Sequence, residues 1–222
     1  WIYSPLISLC IFFLVASFHF GYEDLEMFFN QKFILETPLY FLRGLIIISA
    51  PLYLNNVETV NFIDILLLGE KWINLESATY AYIFYFNLVS IFSLTLLFWI
   101  RKNINLKDFF IISFEVFSIV IIFKYLPLIL AFTMYFCFMH STKHILSLAV
   151  ELNGSNVYAG IKLFAKKAAP LTIITFAMSL IMLFYLSKEF SVDKSILKII
   201  FIGLAALTLP HIILEYIYGK YK

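Results

Sequence analysis

Residues 126–149 read LPLILAFTMYFCFMHSTKHILSLA, an apolar run of bilayer-spanning length that carries His140, Lys143 and His144 in its second half. A spanning helix needs about 20 predominantly apolar residues, so the stretch reads as a membrane helix. An imidazole at bilayer depth is costly unless it is paired or bound, which makes each one a candidate functional group. The chain has four histidines in 222 residues, and the other two, His19 and His211, also lie in or beside apolar runs.

The rest of the chain is built like this stretch. Hydrophobic residues make up 63% and charged residues 14%, with a mean hydropathy of +0.94. Soluble domains are roughly 45–50% apolar and 25% charged. Aromatics reach 19%, and the formal charge is only +2 with scattered lysines, which excludes a nucleic-acid partner. Cys10 and Cys137 sit in separate apolar runs without CxxC spacing, so neither a disulfide framework nor a zinc knuckle is indicated. Ahead of the first apolar run there is no basic n-region, and the chain opens on Trp1. That is not a signal peptide; it reads as an N-terminally incomplete piece of a larger membrane protein.

Seven apolar runs are long enough to count as candidate spans, at about 2–21, 38–54, 80–100, 109–123, 126–149, 168–187 and 196–217. The expected fold is therefore all-α, a polytopic helical bundle forming a single transmembrane domain over 1–222. Two runs are short and carry a charge, Arg43 in the second and Glu115 in the fourth. Arg43 reads as an arginine snorkelling to the interface. Lys124-Tyr125-Leu126-Pro127 reads as a tight turn, because proline disfavours helix in the residue before it. Asn153-Gly154-Ser155-Asn156 opens the longest polar loop after the fifth run.

If all seven cross, one side receives Lys32, Arg101, Lys102, Lys107, Lys162, Lys166, Lys167, Lys220 and Lys222. The other receives only Lys71, Lys124, Lys188 and Lys194. The positive-inside rule makes the first side cytoplasmic. It places the C-terminus inside and brings His19, His140, His144 and His211 towards the cytoplasmic side of a cell (inner) membrane.

His140 and His144 are four residues apart, so on a helix they project from one face, a spacing that lets two imidazoles share one ion. Cys137 reads as a small apolar filler beside them. Glu151 reads as an interfacial charge, or else as an acceptor that orients an imidazole. After His19, Gly21 can end the helix. Asp24 can then fold back to accept from the far nitrogen of a ligating imidazole, the usual partner of a metal-bound histidine. Alternatively, Glu23, Asp24 and Glu26 form a solvated loop edge. Pro210-His211 interrupts the last run, and three roles suit His211: satisfying a carbonyl freed by the proline, hydrogen-bonding in a substrate chamber, or binding metal. Glu215, one turn on, is a candidate partner for it. No phosphate loop, GxSxG or HExxH occurs.

Taken together, His19-Phe20-Gly21 followed by Asp24, Arg43-Gly44 followed by Pro51, Leu128–His144 and the closing Leu207-Thr208-Leu209-Pro210-His211 resemble the Brp/Blh family. These are bacterial and archaeal membrane β-carotene dioxygenases that make retinal for microbial rhodopsins. The resemblance implies a nonhaem Fe(2+) held by histidines, with His19, His140 and His144 matching the metal ligands. It gives His211 a supporting role, with Asp24 and Glu215 as candidate neighbours. The implied reaction is cleavage of the central double bond of β-carotene by O2 into two retinal molecules, with retinal passed on to a rhodopsin. A further histidine motif of the family would lie on an earlier helix, ahead of Trp1, and Lys143 stands where the family's basic residue precedes the second histidine of the pair.

Rival classes remain. A histidine-box membrane desaturase or hydroxylase needs about twice as many ligands, for two irons. A transporter would line a pathway with His140, His144 and Glu115, and predicts polar residues along several helix faces and broken helices in corresponding halves; the sequence shows neither a repeat nor a second polar helix. A structural scaffold has no use for the histidine pair.

Overall fold

The computed structural model describes residues 3–29, 36–69, 72 and 75–219, and the side chains of these except at 209, 211 and 213–219. Among the described residues there is no strand. The helices are α1 (Pro5–Leu25, followed by a 3-10 turn Glu26–Phe28), α2 (Glu36–Leu54), α3 (Asn56–Leu66), α4 (Ser77–Ile100), α5 (Leu106–Tyr125), α6 (Leu128–Thr133), α7 (Ser141–Leu152), α8 (Val157–Leu186) and α9 (Val192–Gly219). A π-helical segment, Met134–His140, joins α6 to α7. The chain forms two compact units, Trp1–Phe138 and Met139–Lys222.

Local chemistry explains most of the boundaries. Pro5 starts α1 at a position where its missing N–H is not needed. Asn105 caps α5 by accepting from the Asp108 amide at 2.8 Å. Asn156 caps α8 through the Ala159 amide at 3.1 Å. The turn expected at 124–127 is present, with α5 ending at Tyr125 and Pro127 preceding α6.

Four helices among the described residues are long and apolar enough to cross a membrane, not seven: Pro5–Phe28, Glu36–Leu54, Ser77–Ile100 and Val157–Leu186. The chain is a helical membrane protein; two of the expected spans fail on described residues for distinct reasons, and the seventh lies partly outside them. On α5, Lys107, Asp108, Glu115 and Lys124 fall within 20 residues. The run 126–149 is divided into pieces of 6, 7 and 12 residues by the π segment. The run 196–217 falls on α9, where many side chains lie outside the described ones. The polar loop opened by Asn153 is also shorter than expected, because α8 begins at Val157. Its first turns carry Lys162, Lys166 and Lys167, good helix formers that a hydropathy reading passes over.

In the first unit α2 is central and packs on α1, α4, α5 and α3. The α1–α2 crossing is a glycine contact. A Cβ on Gly21 would collide with the Tyr40 carbonyl, and one on Gly44 with the Ser17 carbonyl. Gly21 therefore does not end α1, which runs on to Leu25; it lets two backbones touch. Asn87 on α4 bonds Ser49 on α2 at 3.1 Å. The short α3 was not anticipated. Its Asn55 cap donates to the Phe123 carbonyl at 2.6 Å. Glu58 accepts from the Leu128 amide at 3.2 Å, so that α3 holds the start of α6.

In the second unit α7 packs on α8, with Gly160 set against the Ala149 carbonyl, and α8 packs on α9. The span of α8 buries none of its apolar window, the signature of a helix that faces lipid. On α9 the buried Lys198 places its ammonium 3.2 Å from the centroid of the Phe190 ring.

Candidate metal centre and its buried charge network

His19 sits on the buried side of α1 and is 7% exposed. Its neighbour Phe20 meets the Tyr135 and Phe136 rings edge-on at 6.1 and 6.2 Å. Phe136 in turn stacks on Phe132 at 5.9 Å. An aromatic wall thus connects α1 to α6 and the π segment within the first unit.

Five residues after His19, still on the helix, Asp24 is 1% exposed and pairs with Arg43 on α2, its Oδ2 lying 3.0 Å from Nη2. The same Oδ2 accepts from the Tyr135 hydroxyl at 3.1 Å. The same Nη2 lies 3.3 Å from Glu115 Oε2 on α5. Arg43 is fully buried, so the snorkelling expected of it is wrong: its carboxylate partners are inside the bundle, and the side chain turns towards them. The solvated loop edge envisaged around Asp24 is likewise wrong at Asp24, although Glu26 is exposed. Asp24 does not reach its partners by folding back after Gly21, since α1 carries it directly. Arg43 Nε and Nη1 have no hydrogen-bond partner among the described residues. The whole network works through one nitrogen of the guanidinium fork.

The network, not anticipated as a unit, was signalled by its parts. An arginine in one apolar run and a glutamate in another are each costly alone, and opposite charges at bilayer depth find one another. Tyr135 gave no such signal among 14 tyrosines.

In the second unit His140 closes the π segment and is 7% exposed, while His144 is part-buried in the first turn of α7. Cys137 and Glu151 are exposed. His211 and Glu215 lie on α9, and their side chains fall outside those described. Among the described residues of neither unit do three His, Cys, Asp or Glu side chains gather as a metal cluster. By donor type the histidines fit a first-row divalent metal: neutral imidazoles suit iron, zinc and copper alike. His140 and His144 are spaced to offer two donors from one stretch of helix.

The profile of the beta-carotene 15,15'-dioxygenase family matches residues 1–218. A curated relative, the beta-carotene 15,15'-dioxygenase of the uncultured marine bacterium 66A03, is 27% identical over 224 residues, covering 96% of this chain and 73% of its own length. No solved structure matches the chain. With the match running through the His19 segment, the Arg43 helix, the π segment and the histidine pair, the chain belongs to the beta-carotene 15,15'-dioxygenase family of oxidoreductase enzymes.

Proposed function

We propose that the chain cleaves the central double bond of β-carotene with O2 to give two retinal molecules, at a ferrous ion held by His19, His140 and His144. The observation that carries this reading is the burial of His19 and His140 in apolar helices of a chain in that family. An ionisable ring at bilayer depth marks a functional site, and imidazole is a donor that suits iron.

The ferrous ion would supply the binding and activation of dioxygen. The chain's own residues hold the metal, exclude water and place the polyene. One carbon–carbon double bond breaks, and each carbon takes one oxygen atom, so the reaction needs no external reductant and no net proton. That stoichiometry fits a site whose motifs offer no general acid or base. A substrate without polar handles is located by shape, and the Phe20, Phe132 and Phe136 wall beside His19 offers flat apolar surface of the right kind. His211 and Glu215 are proposed as neighbours of the metal or of the substrate chamber. Retinal leaving the site would pass to a rhodopsin.

We place the metal side of the protein at the cytoplasmic face of the cell (inner) membrane. The ends of α1 and α4 and the start of α8 fall on one side whether or not the stretch from α5 to α7 adds a pair of crossings. That side receives Arg101, Lys102, Lys107, Lys162, Lys166 and Lys167. A cytoplasmic C-terminus additionally requires α9 to cross.

The test is expression in cells that accumulate β-carotene. Loss of colour with appearance of retinal is expected; unchanged colour and no retinal would sink the proposal. Metal analysis of the purified protein separates it from a histidine-box hydroxylase, since about one iron per chain supports cleavage at a single centre and two support the rival.

A further inference from the structure

We propose that Tyr135 is a positioning residue for His140, acting through the hydroxyl it donates to Asp24. The proposal rests on the reading of His140 as a metal ligand. Tyr135 is fully buried, and its hydroxyl reaches Asp24 Oδ2 at 3.1 Å. That oxygen is itself fixed by Arg43 Nη2 at 3.0 Å. The anchor point on α1 is therefore rigid, and it lies one helical stretch beyond His19.

Tyr135 and His140 both belong to the π segment Met134–His140 and are five residues apart. In an α-helix such a pair points about 140° apart, at 3.6 residues per turn. In a π turn, hydrogen bonding joins residues five apart and brings them to the same side. Along the segment Tyr135 and His140 are both buried while Cys137 and Phe138 between them are exposed. A π turn is rare and easily relaxes to α geometry, which would rotate the downstream helix by about 100°, one residue's worth of helix. The Tyr135–Asp24 bond and the Phe20–Tyr135 contact at 6.1 Å fix the direction of the segment's first turn, and the π geometry carries that direction to His140 at its last residue.

The test uses the complete protein in nanodiscs. Tyr135→Phe keeps the ring and removes only the hydroxyl; Tyr85→Phe, which removes an exposed hydroxyl 3.4 Å from that of Tyr53, serves as the control. In metal-free protein, backbone hydrogen exchange across 134–140 is expected to speed up at least tenfold in Tyr135→Phe and to stay unchanged in Tyr85→Phe. Iron affinity should fall at least tenfold in Tyr135→Phe alone, and the ferrous–nitrosyl spectrum of the iron it still binds should differ from the parent's. A folded Tyr135→Phe with parental exchange, iron affinity and spectrum would overturn the proposal. If that variant does not insert, exchange across 134–140 in the metal-free parent decides: protection equal to that of α2 supports an anchored segment, and fraying-level exchange overturns it. His140→Ala separates the two readings. Retained iron refutes the ligand assignment, and positioning with it. Lost iron beside a parental Tyr135→Phe refutes positioning alone.

Discussion

Replacing Arg43 with methionine should be among the most damaging single changes in the first unit, and the geometry says by how much. Arg43 is 0% exposed, Asp24 1% and Glu115 13%, and both carboxylates lie within 3.3 Å of one guanidinium nitrogen. R43M roughly keeps the volume and removes the cation that both carboxylates contact, leaving buried Asp24 and part-buried Glu115 beside a neutral thioether. Breaking a buried pair from one side costs about 3–5 kcal/mol. For a chain of this size that corresponds to a drop in thermal midpoint of about 6–20 °C. The variant R43M/D24N/E115Q removes the charges together and keeps an acceptor for Tyr135, and it should recover to within about 1–2 kcal/mol of the parent, because a neutralised cluster no longer carries an uncompensated charge. R43K is the sharper control. Among the described residues Nη2 alone is used and Nε and Nη1 have no partner, so a single ammonium can serve both carboxylates, and the loss should stay at about 1 kcal/mol. Thermal unfolding in nanodiscs, followed by tryptophan fluorescence, reads all three. An R43M protein melting within about 2 °C of the parent, or an R43K protein as damaged as R43M, would refute the single-nitrogen account.

Gly21→Ala and Gly44→Ala should each cost about 1–3 kcal/mol, because the obstructing atoms are backbone carbonyls that cannot move aside. Gly203→Ala on α9 meets nothing within 4 Å and should be neutral or stabilising by up to about 1 kcal/mol; the same melting assay compares them. Asn156→Ala removes the α8 cap and should cost about 0.5–2 kcal/mol without changing iron content. His140→Ala and His144→Ala should each lower iron per chain and retinal formation together, read by metal analysis and retinal extraction; full activity in both would refute their role. Chelation of the purified protein should abolish cleavage reversibly, with ferrous iron restoring it and zinc not.

Reading the sequence located the helical class easily, because lipid leaves the backbone no alternative to internal hydrogen bonding. It overcounted the spans where an apolar average hid specific charges, as with Lys107, Asp108, Glu115 and Lys124 on α5. The π turn inside the 126–149 run was invisible, since no residue type encodes it; its stabilising contacts come from Asp24, 111 residues away in sequence. Short α3 escaped a search for long apolar runs, and its Asn55 and Glu58 bond the end of α5 and the start of α6 rather than α3 itself. Arg43 and Glu115 were visible as oddities, and what could not be read was that they meet. The histidines were legible for the opposite reason, as polar rings set in apolar runs.

The exposed α8 has a consequence for the membrane itself. Its lysine-bearing first turns end at Lys167, and the apolar stretch 168–186 rises about 28 Å at 1.5 Å per residue, close to the ~30 Å of a typical hydrocarbon core. At the far end Lys188 lies 4.6 Å from the centroid of the Phe184 ring, a cation beside an aromatic ring of the kind enriched at membrane interfaces. Both ends are thus marked by charge, and the length between them is fixed. The helix acts as a gauge of bilayer thickness: a thinner bilayer must tilt it or stretch Lys167 and Lys188 outwards, a thicker one must dimple. Through α7, packed on it by the Gly160 contact, any such tilt is felt by the helix that carries His144.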